Sequence, residues 1–241
     1  MYIIFTHVIK GKRKERFLGN DMKYDQIRAK SLDGINESSL FMFENNDFWV
    51  INKPYDIQID GTRPCTLEKL LKRFRKIEGN IKFCHQLDYA TSGCILIARN
   101  KASAQLARLH FDKRVVRKRY EALVWGHVLD SVVITSPLME SRFRSVVHPE
   151  GKPASTVLEK IQTGFLNKKP VSLVSLYPQT GRRHQLRAHL HHIGHRIVGD
   201  VAYGGEPSLD RMMLHAVELS LQPPIDIHVV IPSNFAQQVE S

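Results

Sequence analysis

The segment IKFCHQLDYATSGCILIA, from Ile81 to Ala98, places a single carboxylate between two apolar runs. The runs IKFCH and CILIA have the length and the apolar content of short strands, so we expect two strands joined by a turn. Asp88 lies in that turn, just before Thr91 and Ser92. Because aspartate is a common turn former, a plain structural role for Asp88 is the default interpretation.

The flanking sequence predicts many strands. DFWVINKP is typical of a strand ended by Pro54, and RKRYEALVWGHV alternates so that Tyr120, Ala122 and Val124 share one face. Further strands are predicted in SVVITSPL, STVLEKIQT, PVSLVSLYPQTGR, RMMLHAVELSL and IDIHVVIP.

Helices are few and scattered along the chain. TLEKLLKRFRKIEGN predicts an amphipathic helix capped by Thr66 and stopped at Gly79, and KASAQLARLHFDK one capped by Asn100. RRHQLRAHLHHIGH predicts a helix stopped at Gly194, with Arg187 beside its apolar stripe. Strict βαβ alternation is missing, so the pattern favours an α+β domain with a mixed or antiparallel sheet.

Length and composition set the domain organisation. The chain has 241 residues, 42% of them apolar, and three cysteines without a CxxC pattern. This predicts an intracellular globular protein, with the cytoplasm or nucleus favoured and mitochondria left open. No apolar run is long enough for a membrane span. We expect a basic, partly flexible extension over residues 1–39 and one catalytic domain over residues 40–241.

Charge indicates a polyanionic partner. Lys plus Arg number 35 against 24 acids, a formal net charge of +11. Three clusters carry five basic residues each: Lys10–Arg16, Lys69–Lys76 and Lys113–Arg119. Such clusters suit a phosphate backbone, although a solvated basic surface explains them equally well.

Other chemistries fit poorly. Five of the twelve histidines lie between His184 and His195, but their spacing is wrong for a helical zinc site, and the next acid is Asp200. GxxxxGK[ST] and GxSxG motifs are absent. Two features remain, Asp88 and the helix that carries Arg187. An arginine can hold a carboxylate in its charged form and fix its direction.

Several motifs together resemble one family. HQLDYATSG is similar to the HRLDxxTSG element of the RluA-type pseudouridine synthases. KRYEALVWG resembles their KxYxAxVxG strand, and GRRHQLRAHLHHIGHRIVGDVAYG resembles their GRTHQIRxHLxxxGHPIxGDxxYG element. NKP (Asn52–Pro54) and LHA (Leu214–Ala216) match in the expected order, and the resemblance covers roughly residues 40–235.

The resemblance implies a fold and a reaction. The family fold is a curved, mixed, mainly antiparallel sheet of two subdomains with a central active-site cleft. Its members detach a uridine base at the N1–C1′ bond, turn it and rejoin it through C5, without a metal or organic cofactor. The expected partner is RNA (tRNA, rRNA or mRNA), the expected state is a monomer, and no membrane association is expected.

The resemblance also implies site residues. Asp88, Tyr120 and Arg187 match the catalytic positions. The carboxylate could attack C1′ or assist loss of the base at the sugar, and the tyrosine could pack on the uracil. Gly93 would let the backbone approach the substrate closely. Substrate-binding positions are expected at His85, Gln86, Thr91, Gly93, Arg182, His184, Gln185 and Leu214.

The sequence departs from the family at two notable positions. Gln86 stands where most members carry an arginine that enters the RNA stack, and Arg183 replaces a threonine. Glutamine carries no charge and stacks less well than a guanidinium. A catalytically silent RNA-binding or chaperone module of the same fold is therefore an alternative, and a histidine-based metal hydrolase is a weaker one.

Overall fold

A computed structural model describes residues 35–206 and 210–240. These residues form an open ten-stranded sheet, a two-stranded hairpin and four α-helices. The strands are β1 (Phe41–Glu44), β2 (Phe48–Lys53), β3 (Lys82–Phe83), β4 (Ser92–Ala98), β5 (Arg117–Trp125), β6 (Ser131–Ile134), β7 (Leu138–Glu140), β8 (Ser145–Val147), β9 (Thr156–Leu166), β10 (Lys169–Pro178), β11 (Leu214–Leu221) and β12 (Ile227–Val230). The helices are α1 (Glu37–Leu40), α2 (Leu67–Arg75), α3 (Lys101–Asp112) and α4 (Gln185–His192).

The large sheet confirms the predicted α+β class. Its strand order is β1-β2-β4-β11-β5-β10-β9-β6, with β3 also paired to β4 and β12 to β11. Within the described residues, β4 and β11 form the one parallel pair between named strands of this sheet, and the others are antiparallel. The β4–β11 contact therefore joins the strands of the first half of the chain to those of the second half.

Gly93 has a role in this joint that differs from the predicted one. It pairs with Ala216 across the parallel contact and has φ of +108°. A Cβ atom at Gly93 would lie 2.2 Å from the carbonyl oxygen of Ala216. The glycine therefore permits a close approach of two strands, and the expected approach of its backbone to the substrate stays a prediction.

Apolar side chains cover both faces of β4. Cys94, Leu96 and Ala98 belong to the main core, which also receives Leu186 and Leu190 from α4. Ile95 and Ile97 point to a second core, formed with the buried face of α2. All seven residues of β4 are buried, so the turn that precedes this strand is joined to a firmly packed element.

The predicted helix caps are present, but some helix ends differ. Thr66 and Asn100 accept hydrogen bonds from the backbone N–H groups of Lys69 and Ser103. Helix α2 ends at Arg75 because Lys76 adopts a left-handed conformation (φ 51°), so the predicted stop at Gly79 is wrong. Helix α4 begins at Gln185, later than the sequence pattern indicates.

The predicted extension over residues 1–39 lies almost entirely outside the described residues. Its last residues contribute to α1, whose Leu40 is buried in the second core. The boundary at residue 40 stays a prediction. Across residues 35–206 and 210–240, the helices are too short and too polar to span a bilayer.

Candidate active site

Asp88 lies in the turn between β3 and β4, at the floor of a large cleft. The cleft has a volume of about 1280 Å³, and both Asp88 and Tyr120 line it. The backbone carbonyl of Asp88 accepts a hydrogen bond from the N–H of Thr91 at 3.1 Å, which closes the turn. The Asp88 side chain is 23% exposed, so the carboxylate is accessible from the cleft while much of it is screened from solvent.

Arg187 connects Asp88 to a second carboxylate. Its Nη1 atom donates to Asp88 Oδ2 at 3.1 Å. Its Nη2 and Nε atoms donate to the two oxygens of Asp200 at 2.7 and 2.8 Å, a bidentate contact. Asp200 is 1% exposed and Arg187 7% exposed. The pairing of Asp88 with Arg187 expected from the sequence is present, and Asp200 fixes the plane of the guanidinium.

The charges around Asp88 keep it ionised. Burial raises the pKa of this carboxyl, but the Arg187 guanidinium, His184 and Lys53 together hold its pKa below the ordinary value. Burial also acts on Arg187, and the Asp200 carboxylate outweighs it and raises the pKa of the guanidinium. The arrangement therefore provides a carboxylate that stays charged at neutral pH.

Lys53, at the end of β2, binds backbone carbonyls of the turn that carries Asp88. The residue has no exposed surface, and burial lowers the pKa of its amine to about 7. Its Nζ atom donates to the backbone carbonyls of Pro54, Tyr89 and Thr91 at 2.9, 3.0 and 2.7 Å. Since Tyr89 and Thr91 both follow Asp88, the lysine restrains the turn on the C-terminal side of the acid.

Tyr120 reaches the cleft from the middle of β5. Its backbone is paired with Ala216 on one side and with Leu176 on the other. The residue is 8% exposed, and burial, reinforced by the negative charge of Asp88, raises the pKa of its phenol. The hydroxyl therefore keeps its proton near neutrality, and the ring is held rigidly at the wall of the cleft.

The cleft has a strongly cationic wall. Lys113–Arg119, one of the three basic clusters, lies at the start of β5 beside the cleft. Besides Arg187, the lysine and arginine side chains that line the cleft are Arg114, Arg117, Lys118, Arg119, Arg182 and Arg183. On α2, by contrast, Lys72 pairs with Glu68, and Arg75 pairs with Glu37 and Glu44. The two clusters therefore differ in position: Lys113–Arg119 lines the cleft, although its Arg119 pairs with Glu121 and Glu218, whereas Lys69–Lys76 lies outside the cleft lining.

Most of the expected substrate-binding side chains line the cleft. Gln86 is exposed at its rim, and the other cleft-lining members of the set are His85, Thr91, Arg182, His184, Gln185 and Leu214. Gly93 does not line the cleft; it is paired with Ala216 between β4 and β11. Arg183 is also there, and its guanidinium donates to the carbonyls of Ser141 and Phe143 in the β7–β8 turn, each at 3.1 Å.

Two of these residues have structural partners that occupy their polar atoms. His85 Nε2 accepts the Leu96 N–H at 3.0 Å, and burial lowers the pKa of His85 to about 3. The side-chain amide of Gln185 accepts hydrogen bonds from Thr180 and from the Arg182 N–H in the loop before α4. It donates to Ser155 and Thr156 where β9 begins. Both side chains therefore shape the cleft, which argues against a direct contact between their polar groups and a substrate.

Among the described residues, His184 is the histidine within ion-pair distance of Asp88. Its Nε2 atom lies 3.8 Å from Asp88 Oδ1, and its φ of +50° places it in the left-handed region just before α4. Burial lowers its pKa, so the ring gains its proton only at a more acidic pH than an ordinary histidine. Among the described residues, its buried Nδ1 atom has no hydrogen-bond partner.

The other histidines of this stretch do not form a metal site. His189 contacts Thr156 and the carbonyl of Ser136, and His195 contacts the carbonyl of Trp125. Within residues 35–206 and 210–240, no group of three or more potential ligands is placed to hold a metal ion. These contacts tie α4 and the loop after it to the sheet.

Sequence reasoning missed two residues of the site, Asp200 and Lys53. Both lie inside motifs that carried the family resemblance, GDVAYG and NKP. Their position in those motifs was the available signal. Their roles depend on tertiary contacts with Arg187 and with the carbonyls around Asp88, which no local pattern encodes.

Comparisons with known proteins agree with the geometry. The family model described as RNA pseudouridylate synthase matches residues 47–192. The chain is 36% identical to RNA pseudouridylate synthase domain-containing protein 1 of Bos taurus, over 86% of this chain and 76% of that protein. It is 34% identical to the dual-specificity RNA pseudouridine synthase RluA of Vibrio vulnificus, over 76% of this chain and 77% of that protein.

Solved structures show the same fold. Human RNA Pseudouridylate Synthase Domain Containing 1 superposes with a TM-score of 0.73 at 37% identity, covering 80% of this chain and 82% of that one. Human RNA Pseudouridylate Synthase Domain Containing 4 superposes with a TM-score of 0.66 at 25% identity, covering 81% and 88%. Sequence and structure therefore lead to the same group of proteins.

Proposed function

This chain belongs to the RNA pseudouridylate synthase family, and on that premise we propose that it isomerises uridine in structured RNA with Asp88 as the nucleophile. The observation that carries the proposal is the Asp88–Arg187–Asp200 arrangement at the floor of the cleft. It presents one ionised, oriented carboxylate to a cavity large enough for a flipped nucleotide.

The chemistry proceeds in two displacements. The Asp88 carboxylate attacks C1′ of the ribose, the C1′–N1 bond breaks, and its electron pair leaves with the uracil. The base turns, C5 attacks C1′, and the bond to Asp88 breaks to restore the carboxylate. The proton on C5 is then lost and N1 gains one, so atoms and electrons balance without a cofactor.

The neighbouring side chains support these steps. Arg187 keeps Asp88 charged before attack and accommodates the returning charge after the second displacement. Tyr120 packs on the face of the uracil while the base turns, and its protonated hydroxyl can donate a hydrogen bond.

RNA binding is assigned to the cationic wall of the cleft. Arg114 and Arg117 are exposed there, where they can contact the phosphates that flank a flipped uridine. Flipping a base costs on the order of a few kcal/mol, which such phosphate contacts offset. We propose tRNA, rRNA or mRNA as the substrate class, with the protein acting as a monomer.

Pseudouridine mapping tests the proposal. Cellular RNA is incubated with the purified protein, with Asp88→Asn protein, or with buffer, and converted uridines are located across the transcriptome. We expect a defined set of uridines to be converted by the native protein alone. If no uridine is converted while the protein still binds RNA, the chain is instead a silent RNA-binding module, the alternative that Gln86 motivates.

A further inference from the structure

A second cavity lies behind the rim of the catalytic cleft. It has a volume of about 310 Å³, large enough for a nucleobase, and Asp60, Arg63 and Tyr89 line it. Gln86 and Leu87 line both this cavity and the catalytic cleft. The two spaces are therefore separated by one short stretch of chain, the same stretch that leads to Asp88.

The walls of this second cavity are firmly built. The N–H groups of Leu67 and Glu68, in the first turn of α2, donate to the carbonyls of Gln58 and Ile59, both at 2.8 Å. The Lys69 side chain donates to the carbonyl of Arg63. The loop that carries Asp60 and Arg63 is thus fixed to a helix whose apolar face is buried in the second core.

The two charged groups of the cavity are complementary to the Watson–Crick edge of guanine. The Asp60 carboxylate offers only acceptors, and the Arg63 guanidinium offers only donors. On its Watson–Crick edge, guanine alone among the four bases presents two adjacent N–H donors beside a carbonyl acceptor. The Arg63 guanidinium lies 5.5 Å from the centre of the Tyr89 ring, and an aromatic ring beside a guanidinium is a surface on which bases stack.

We propose that this cavity binds a guanine adjacent in the RNA to the target uridine. The inference rests on the proposed function, because it takes the catalytic cleft as the site of the uridine. Consecutive nucleotides would then lie on the two sides of the Gln86–Leu87 wall, one base in each space. A neighbour held in this way restrains the strand where Gln86 lacks the charge and the stacking plane of an arginine.

Selection of RNA by the Asp88→Asn protein tests the proposal. The probe is a library of RNA hairpins in which the loop holds one uridine between randomised positions, and bound molecules are sequenced. We expect guanine to be enriched about tenfold at one position next to the uridine, the discrimination typical of a paired set of base contacts. Uniform base frequencies at the neighbouring positions would overturn the proposal.

Further substitutions in the Asp88→Asn protein test whether the second cavity causes the guanine enrichment. Asp60→Asn and Arg63→Lys should each lower the guanine enrichment at least threefold. The matched control is Asp130→Asn, an exposed aspartate paired with Lys160 outside both cavities, and it should keep the enrichment. Unchanged enrichment in Arg63→Lys would overturn the assignment, whether or not Asp60→Asn folds.

The two proposals can fail separately. The selection requires binding only, so it reads the cavity without any isomerisation. Guanine enrichment without pseudouridine formation by the native protein would refute the catalytic proposal and retain the cavity. Pseudouridine formation that does not depend on neighbouring bases, with no guanine enrichment in the selection, would retain the catalytic proposal and refute the guanine site.

Discussion

At the scale of single residues, the site depends on how one guanidinium is shared. Arg187 gives two of its N–H groups to buried Asp200 and a third to Asp88. A lysine has no planar fork and cannot make both contacts in fixed geometry. The arginine is therefore required for orientation as well as charge.

An Arg187→Lys variant should shift the pH profile of activity. In the native protein the pKa of Asp88 lies below its ordinary value, so the reactive carboxylate is lost only as the pH falls through that lowered pKa. Weaker pairing raises this pKa, so we expect activity to decline at a higher pH on the acidic side and to recover as pH rises. Rates of pseudouridine formation, followed from pH 9 down to below the ordinary carboxyl pKa of 3.8, measure the shift. An acidic limb at the native position would contradict the role given to Arg187.

The candidate residues were predictable to different degrees. Asp88, Tyr120 and Arg187 lie in short motifs whose order along the chain is informative. Asp200 follows a histidine-rich stretch as a lone acid, and its bidentate contact depends on the path of the loop after α4. His85 and Gln185 show the opposite case, because their motif positions suggested substrate contacts and their polar atoms bind the protein itself.

At the scale of elements, the turn before β4 is held by two devices. Lys53 binds the carbonyls of Tyr89 and Thr91, which follow Asp88, and Gly93 allows β4 to pack closely against β11. Both devices act on the backbone, so they position Asp88 without contacting its carboxylate.

Replacement of Lys53 by methionine should loosen the turn. Methionine fits the buried space but leaves three carbonyls without their donor, and an unpaired buried group costs about 1–3 kcal/mol. We expect a lower free energy of unfolding and a fall in kcat larger than any change in KM. Denaturant unfolding and steady-state kinetics measure the two effects. Native kcat in a folded Lys53→Met protein would show that the turn needs no anchor.

The Gly93→Ala substitution should destabilise the parallel joint. The added Cβ would meet the Ala216 carbonyl oxygen at 2.2 Å, and the backbone is in a left-handed conformation. We expect a loss of at least about 3 kcal/mol in the free energy of unfolding. Gly79→Ala is the matched control, because a Cβ there has no atom within 4 Å. Equal stability of the two variants would argue against the close approach.

Elements were predicted better than their ends. The starts of two helices were predictable from Thr66 and Asn100, because a cap is a local interaction between a side chain and nearby backbone. Helix α2 ends at Arg75, four residues before Gly79, since Lys76 takes the left-handed conformation itself. Whether the helix stops at Lys76 or at Gly79 depends on packing, which is not visible in the local sequence.

At the scale of the whole molecule, the sheet order was beyond sequence reasoning. The parallel contact joins Ser92 to His215, 123 residues apart, through both their backbones and a hydrogen bond between their side chains. Periodicity identifies strands but not their partners, and here the partner comes from the other half of the chain. The predicted class is confirmed, whereas the pairing order had to come from the structure.

Charge reversal at the cleft should weaken RNA binding and its dependence on salt. Arg114→Glu with Arg117→Glu removes two exposed cations from the cleft wall. We expect lower affinity and a salt slope reduced by about 1.5, roughly 0.7 to 0.9 per phosphate contact. The control is Arg73→Glu, an exposed position on α2 outside the cleft lining, measured by binding titrations at several salt concentrations. An unchanged slope in the double variant would mean that this wall does not contact phosphates.

The most direct test of the account compares Asp88→Asn with Asp112→Asn. Both acids line the cleft, but Asp112 pairs with exposed Arg108 and has no part in the proposed chemistry. Pseudouridine formation is followed on one RNA identified by mapping, and RNA affinity is measured in parallel. We predict that Asp88→Asn forms no pseudouridine yet binds RNA nearly as well as the native protein, while Asp112→Asn stays active. Pseudouridine formed at a near-native rate by Asp88→Asn would contradict the central claim.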